Sequence, residues 1–433
     1  MRYGDCFAVS LSPSLPSVVF VSDPKALQII LTNDDSKLFD VPGELNAILE
    51  PIFGTHSVFG LSGDRHRRMR QLLMPPFHGE RMRSFGQLIW EVTDSVTRDW
   101  VAGSQVLARR SMQKISLQVI LRAVFGLEKG SRYRQLEKLL ETMLDSMGNP
   151  LSASLLFFPM LRRDLGPLSP WGRFVRMRAN IDKLLFEEIA ERRTHPDDSR
   201  NDILTLLLTA RDEAGERLTD AELRDELMTL LVAGHETTAM SMTWALYWIC
   251  KNPQVRHRLF EELESSDLNL EPGDVFRLPY LSAVCSETLR IHPVAMLTFP
   301  RVARLRVELA GKVMEPGTVV VGCIYLAHHR ASVYPEPHLF RPERFLENRF
   351  TPFEFLPFGG GARRCIGMVF AQFEMKLIIS RILSTFDLAL PDRSPARLRR
   401  RGVVSGPSPF WLSVRARREP KYAKTSQKAR MSS

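Results

Sequence analysis

Residues 358–367 read Phe358-Gly359-Gly360-Gly361-Ala362-Arg363-Arg364-Cys365-Ile366-Gly367. A glycine-rich loop ends in a cysteine, and an apolar run with helical spacing follows over residues 366–385. Glycines let the backbone come close to a flat partner that side chains would hold off. The amides of a helix start and the neighbouring arginines favour a thiolate at Cys365, whose free pKa of about 8.5 would otherwise leave it mostly protonated. The plain alternative is a buried structural cysteine beside a loop.

Working outward, residues 218–253 read as one long helix, with Thr219 or Asp220 as cap and Asn252-Pro253 as its end. It is apolar on nearly all faces over residues 227–249, as expected for a helix central to a large protein. Inside it lies Ala233-Gly234-His235-Glu236-Thr237-Thr238. An acid beside a threonine is costly there unless it has a task. Gly234 costs about 1 kcal/mol relative to alanine and is read as making room for a ligand. The competing reading is a satisfied polar kink, the threonine hydroxyl bonding back one turn.

Glu287-Thr288-Leu289-Arg290 puts carboxylate and guanidinium on one helix face. On a surface such a pair would contribute little. Pro342-Glu343-Arg344-Phe345 offers a later arginine. His66 and Arg70 lie one turn apart in Gly63-Asp64-Arg65-His66-Arg67-Arg68-Met69-Arg70, which alone would read as an exposed basic face.

Taken in order, these motifs resemble the cytochrome P450 family, and F-x-x-G-x-R-x-C-x-G matches its haem-binding loop at every fixed position. The resemblance spans residues 63–367 strongly, with weaker likeness from Tyr3-Gly4-Asp5 to the hairpin at 402–409. It implies a mainly α fold with small β-sheets, a triangular helical prism holding haem between the central and final helices. It implies haem b with an axial thiolate from Cys365, a ligand that favours O–O cleavage. Phe358, Gly361 and Gly367 would shape the loop around it. Thr237 would hydrogen-bond dioxygen and Glu236 relay protons. Glu287, Arg290 and Arg344 would form a buried architectural network. His66, Arg70, Arg301 and Arg363 would contact the haem propionates, a pairing that suits guanidinium groups. Ala233, Val294, Ala295, Met296, Leu297 and Val404 would line an apolar substrate pocket, although each could equally be core. The substrate is then hydrophobic: a long-chain fatty acid, an alkane or a terpene. The implied reaction inserts one atom of dioxygen by hydroxylation or epoxidation. No flavin or nicotinamide domain is read, so electrons would come from a ferredoxin and its reductase, or a flavodoxin. The family would also lead one to expect an early helix ahead of Tyr3.

Bulk properties agree. The chain has 433 residues, 44% hydrophobic and 25% charged, which excludes fibrous and wholly disordered classes. Cys6, Cys250, Cys285, Cys323 and Cys365 are odd in number and widely spaced, arguing against a secreted disulfide framework and for a cytoplasmic setting. No apolar run approaches the roughly 20 residues of a spanning helix, and no signal peptide is visible. The expected organisation is one monomeric domain over residues 1–414 and a basic, disordered tail over 415–433. That tail carries seven basic residues and Glu419, more than half of the net charge of +10. Nucleic-acid or anionic-membrane binding by the tail is the sharper alternative, and no nucleic-acid partner is expected. Residues 7–9 and 18–21 read as strands, a helix follows Asp23-Pro24, and residues 296–321 alternate like strands with turns at Gly311 and Gly317. Residues 63–208 look helical except for a greasy, loop-rich hinge over 151–170. A peroxide-using or rearranging haem-thiolate enzyme would share the cysteine loop, but such members often lack the Glu236–Thr237 pair. A haem sensor would need no such pair either.

Overall fold

The computed structural model describes residues 4–10, 17–34, 37–77, 81–126, 130–148, 150–197, 199–265, 271–391, 395–401 and 404–418. The helices are α1 (Pro24–Thr32), α2 (Glu50–Phe53), α3 (Gly63–Leu73), α4 (Arg81–Thr97), α5 (Ala108–Phe125), α6 (Ser131–Met147), α7 (Pro150–Phe157) and α8 (Pro170–Thr194). They continue as α9 (Ile203–Thr209), α10 (Asp220–Lys251), α11 (Pro253–Ser265), α12 (Pro272–Val275), α13 (Pro279–Ile291), α14 (Ile324–His328), α15 (Arg344–Glu347) and α16 (Met368–Thr385). The strands are β1 (Cys6–Val9), β2 (Val18–Val21), β3 (Phe39–Asp40), β4 (Gln105–Leu107), β5 (Arg301–Ala303) and β6 (Val307–Leu309). After them come β7 (Lys312–Met314), β8 (Val319–Gly322), β9 (Phe386–Ala389), β10 (Leu398–Arg401), β11 (Val404–Pro407) and β12 (Trp411–Arg417).

α10 organises the rest. Thr219 Oγ1 accepts from the Glu222 amide at 3.2 Å while the Glu222 carboxylate accepts from the Thr219 amide at 2.9 Å, a reciprocal cap. Asn252 ends the helix, with Pro253 opening the next. Nearly every residue of α10 from Leu223 to Ile249 is buried or half-buried, and α5, α8, α13, α16 and β11 pack around it. Gly234 belongs to this packing. A Cβ there would meet Ile120 Cδ1 of α5 at 3.2 Å, so the glycine also lets two helices approach.

The main sheet runs β1-β2-β8-β5-β3, with β2 and β8 parallel and the other pairs antiparallel. β6 and β7 form the expected hairpin through Ala310-Gly311, both at positive φ, and Gly317 turns the chain into β8 at φ 86°. Asp23 caps α1 by accepting from the Ala26 amide at 2.9 Å.

Two expectations are corrected. The greasy hinge is helical as far as Phe157, because Pro150 at a helix start does not interrupt the run of Ser and Leu that follows. The basic tail does not begin at Arg415. β12 extends to Arg417, the Arg418 amide donates to the Thr385 carbonyl at 2.7 Å, and the Arg418 guanidinium lies 3.8 Å from the Phe260 ring centroid. Alternating Leu412 and Val414 sit in the core, and their burial carries the neighbouring arginines into the sheet. Residues 419–433 of that tail, and Tyr3, Gly402 and Val403, lie outside the described residues. The five cysteines are all free.

Candidate active site

The loop before α16 is held by its own backbone. The Gly359 amide donates to the Leu356 carbonyl at 2.9 Å, the Arg364 amide to Gly361 at 3.1 Å, and the Cys365 amide to Phe358 at 3.0 Å. Gly361 sits at φ +65°, where a Cβ would lie 2.1 Å from Asp34 Oδ2, so no other residue fits without moving the aspartate. α16 starts at Met368, which places Cys365 in the turn ahead of the helix and not at its first residue. Burial pushes the Cys365 thiol up; the Gly367 amide, Arg70 and Arg364 pull against it without prevailing. An amide and arginines do favour the thiolate here, as expected, although burial is the larger effect. Cys365 is nevertheless exposed. Both statements hold for a side chain on the wall of an internal recess, where protein is near on all sides but does not cover the sulfur.

Basic side chains gather beside this loop from separate elements. His66 and Arg70 come from α3, Arg301 from β5 and Arg363 from the loop itself. The His66 ring is buried, its Nε2 has no partner, and its pKa falls to about 3 through desolvation and then the charges of Arg363, Arg70 and Arg301. Arg363 is lowered to about 10 by burial, then by Arg301 and Arg70. Its Nη1 donates to Val58 O at 2.7 Å and its Nη2 to Val41 and Leu61 carbonyls, leaving buried Nε without a partner. Arg70 Nη1 donates to Arg364 O at 2.7 Å. Arg301 pairs with Asp34 at 2.7 Å and also donates to Gly360 O at 3.0 Å. Asp34 in turn accepts from the Ala362 amide at 2.9 Å. Sequence reasoning missed Asp34, which ties α1 to β5 and the cysteine loop. With Arg70, Arg301 and Arg363 against Asp34 and Glu44, the cluster keeps a surplus of positive charge.

The opposite wall is α10. In the middle of this helix Leu230, Ala233, Gly234, Glu236 and Thr237 are half-buried, and all of these but Glu236 have the spacing of a single face. Thr237 Oγ1 donates to Ala233 O at 2.6 Å, the back-bond that its plain reading anticipated. Glu236 accepts from Gln113 Nε2 of α5 at 2.8 Å and from Arg401 Nε of β10 at 3.3 Å. Neither partner was foreseen, since both lie far away in sequence. Successive helical residues diverge by roughly 100°, so Glu236 reaches its partners beside the Thr237 face and not on it.

Behind the loop, Glu287 accepts from Arg290 Nε at 2.6 Å and Nη2 at 2.8 Å, Arg344 Nε at 3.1 Å and the Arg341 amide at 2.9 Å. All three ionised side chains are buried, Glu287 and Arg290 at 0% exposure. Arg290 also donates to the carbonyls of His328 and Pro337, at 2.8 and 2.9 Å. His328 extends the network. Its Nε2 lies 2.9 Å from the Leu356 amide, so that nitrogen is the acceptor and Nδ1 carries the proton toward Arg290 O at 3.2 Å. A recess of about 310 Å³ lined by Arg341, Arg344 and Phe350 lies on the far side. Neither Cys365 nor Thr237 lines it.

The expected pocket residues converge in part. The Ser405 amide donates to Val294 O at 3.0 Å, which joins the Val404 strand to the segment after α13. A Cβ on Gly406 would lie 2.2 Å from Met240 Sδ, so β11 rests directly on α10. The segment is pinned further by Thr298 to Gly322 at 2.8 Å and Tyr325 to Met296 at 3.2 Å. Val294 is buried, Met296 and Val404 are half-buried, and Ala295 and Leu297 are exposed. Val294 thus reads as packing, while its successors present apolar surface.

The cytochrome P450 family model matches residues 1–414. A putative cytochrome P450 135B1 of Mycobacterium tuberculosis is 35% identical over 407 residues, covering 94% of this chain and 83% of its own. A putative cytochrome P450 138 of the same organism is 34% identical over 418 residues, covering 96% and 90%. The crystal structure of the cytochrome P450DA heme domain aligns with TM-score 0.81 at 25% identity, covering 96% of this chain and 91% of its own. A retinoic acid bound cyanobacterial CYP120A1 shares the fold at TM-score 0.81 and 24% identity. This chain belongs to the cytochrome P450 family. It is a haem-dependent monooxygenase, an oxidoreductase that uses dioxygen and outside electrons, and its cofactor is haem b bound through a cysteine thiolate. The site fits that group: an accessible cysteine, two unpartnered buried nitrogens on His66 and Arg363, and surplus positive charge for two carboxylates. Among the described residues no helix is long and apolar enough to cross a membrane.

Proposed function

We propose that this enzyme hydroxylates or epoxidises a long-chain fatty acid, an alkane or a terpene, with Cys365 as the axial ligand. When bound, the haem supplies the oxygen chemistry, consuming two electrons and two protons and releasing the second oxygen atom as water. Arg70, Arg301, His66 and the Nε of Arg363 hold the propionates, a pairing that offsets the surplus positive charge among them. Glu236 holds a proton-accepting oxygen between Gln113 and Arg401. Thr237, whose hydroxyl donates to Ala233 O, would be the group to hydrogen-bond dioxygen. Glu287, Arg290 and Arg344 keep the loop in place and take no part in turnover.

The observation that carries the substrate reading is the pinned stretch of residues 295–297, which offers Ala295, Met296 and Leu297 as apolar surface next to the Val294 bond to β11. An apolar wall with few polar groups selects by shape and burial. A ferredoxin or flavodoxin would supply electrons on the Cys365 side. Exposed Arg364 and nearby Arg70 there suit an acidic carrier.

Two measurements test this. The reduced protein with carbon monoxide should show the strongly red-shifted Soret band of sulfur-ligated haem, and Cys365→Ala should lose it. A band that survives the substitution refutes the ligand assignment. Substrate candidates should shift the resting Soret band, and fatty acids, alkanes and terpenes should do so before polar compounds. A screen led by polar compounds refutes the substrate class.

A further inference from the structure

The ionic network behind the cysteine loop is unbalanced. Arg290 and Arg344 are buried at 0% and 2% exposure, and among the described residues Glu287 is the one carboxylate bonded to both. Arg290 uses all five of its N–H groups, on Glu287 twice and on the carbonyls of His328, Pro337 and Leu339. Arg344 uses four of five. Its Nε donates to Glu287 at 3.1 Å, its Nη1 once, to Pro335 O at 3.2 Å, and its Nη2 to Glu336 O and Leu339 O at 3.5 and 3.3 Å. One N–H on Nη1 is therefore left without a partner among the described residues, on a guanidinium whose charge the shared carboxylate covers in part. An unmade bond and an uncompensated charge are both costly when buried.

Arg344 also lines the recess of about 310 Å³, so this unbalanced charge borders open space and not packed protein. Arg349 lines the same recess, exposed and with no ion pair or hydrogen bond among the described residues. Arg341, a third guanidinium of the lining, is held by Glu347 at 2.7 and 2.8 Å. Among the described residues Glu354 is the one acid of the lining, and its Oε2 accepts from the Thr351 amide at 2.8 Å. With Arg341 matched by Glu347, the recess meets a ligand with two guanidinium groups against a single carboxylate.

We propose that this recess binds a small oxyanion, a phosphate or a carboxylate group, between Arg344 and Arg349. Guanidinium groups present N–H donors in a fork that matches the oxygens of either group. The anion takes the N–H that Arg344 has left and balances the charge that Glu287 does not cover. The space equals that of about ten waters, which leaves room beside Phe350 and Val333 for a small organic body attached to the anion. An occupant braces the network that keeps the cysteine loop in place, so it acts on stability. The proposal stands apart from the substrate reading and holds whatever is oxidised.

Urea titration of the full-length, haem-loaded protein tests it, with inorganic phosphate or acetate added and ionic strength held constant with chloride. Phosphate also stabilises proteins generally, through exclusion from their surface. The site is therefore read as the difference between the parent and Arg349→Gln, whose exposed side chain holds nothing else in the fold. The parent midpoint should rise with the anion and saturate, and in Arg349→Gln the half-saturating concentration should be about tenfold higher or more. Glu354→Gln, which removes the acid of the lining, should saturate at a lower concentration than the parent, a change that loss of a structural contact does not produce. A response to phosphate alone gives the recess to phosphate esters, and a response to acetate alone gives it to carboxylates. Midpoints of parent and Arg349→Gln that rise in parallel overturn the proposal. So does a parent midpoint that neither anion moves, or weaker binding by Glu354→Gln.

Discussion

Replacing Glu374 by glutamine should remove the loss of stability with rising pH that one buried position imposes. Glu374 lies on α16 at 1% exposure, one oxygen bonded to Ser116 of α5 and Oε1 without a partner. Burial raises its pKa from 4.5 to about 8, and the Ser116 bond offsets only part of that. An unfolded chain loses this proton near pH 4.5, while the folded one keeps it until about pH 8. Between those values the folded state binds the extra proton, so its stability falls as pH rises, by about 1.4 kcal/mol per pH unit. Integrated from pH 5 to pH 7, the penalty grows by about 2.5 kcal/mol. Glu374→Gln carries no such proton. The stability difference between variant and parent should therefore shift by about 2.5 kcal/mol in the variant's favour over that interval. Urea titrations of the haem-loaded proteins, followed by far-ultraviolet circular dichroism at pH 5, 6, 7 and 8, measure the difference, and other titrating groups cancel in the subtraction. A difference that stays flat with pH would refute the reasoning, since it would mean that Glu374 ionises alike folded and unfolded.

Glu287→Gln removes the only carboxylate bonded to both Arg290 and Arg344 in the buried network, and should cost about 3–5 kcal/mol; an unchanged urea midpoint would show the network to be dispensable. Gly361→Ala should lower haem occupancy, because a Cβ at φ +65° displaces Asp34 and with it the Arg301 pair, which the ratio of Soret to protein absorbance reads directly. His328 is held neutral in the fold, its pKa lowered to about 3 by burial and then Arg290. Its contribution is complete above the unfolded value of 6.5 and is lost as pH falls toward 3. Between pH 6 and 5 the loss is about 1 kcal/mol, and His328→Gln should flatten the acid limb of the stability curve by that amount. Thr237→Ala should bind haem and substrate like the parent yet divert reductant into hydrogen peroxide; retained coupling of reductant to product would end the role proposed for it.

How much of this was legible before any coordinates depended on how far apart the partners lie. Local chemistry read well. Thr219 and Glu222 cap α10, Asp23 caps α1, Gly311 and Gly317 turn the chain, and Glu287 and Arg290 share a face three residues apart. Contacts between distant segments did not. Gln113 and Arg401 reach Glu236 across 123 and 165 residues, and Asp34 reaches Arg301 across 267. Nothing in the local pattern of a glutamine on an amphipathic helix marks it as the partner of an acid on another. The contact of Gly234 with Ile120 was hidden for the same reason, since that residue lies on a helix more than a hundred positions earlier. The β12 arginines looked like solvated tail because composition outweighed the alternation of Leu412 and Val414.

The parallel pairing of β2 with β8 brings residues 18–21 against 319–322. Asp34, just after α1, then meets Arg301 and the amide of Ala362. Pairings of such long range are slow to form, because the intervening chain must be closed before any contact rewards it. On the ribosome, β2 must wait until residues 319–322 are made before its parallel neighbour exists. The cysteine loop emerges later still, so cofactor capture follows the making of this sheet. A chain stalled before Cys365 would lack α16 and β11, leaving uncovered the side of α10 on which they pack, and would be a target for chaperones and proteases.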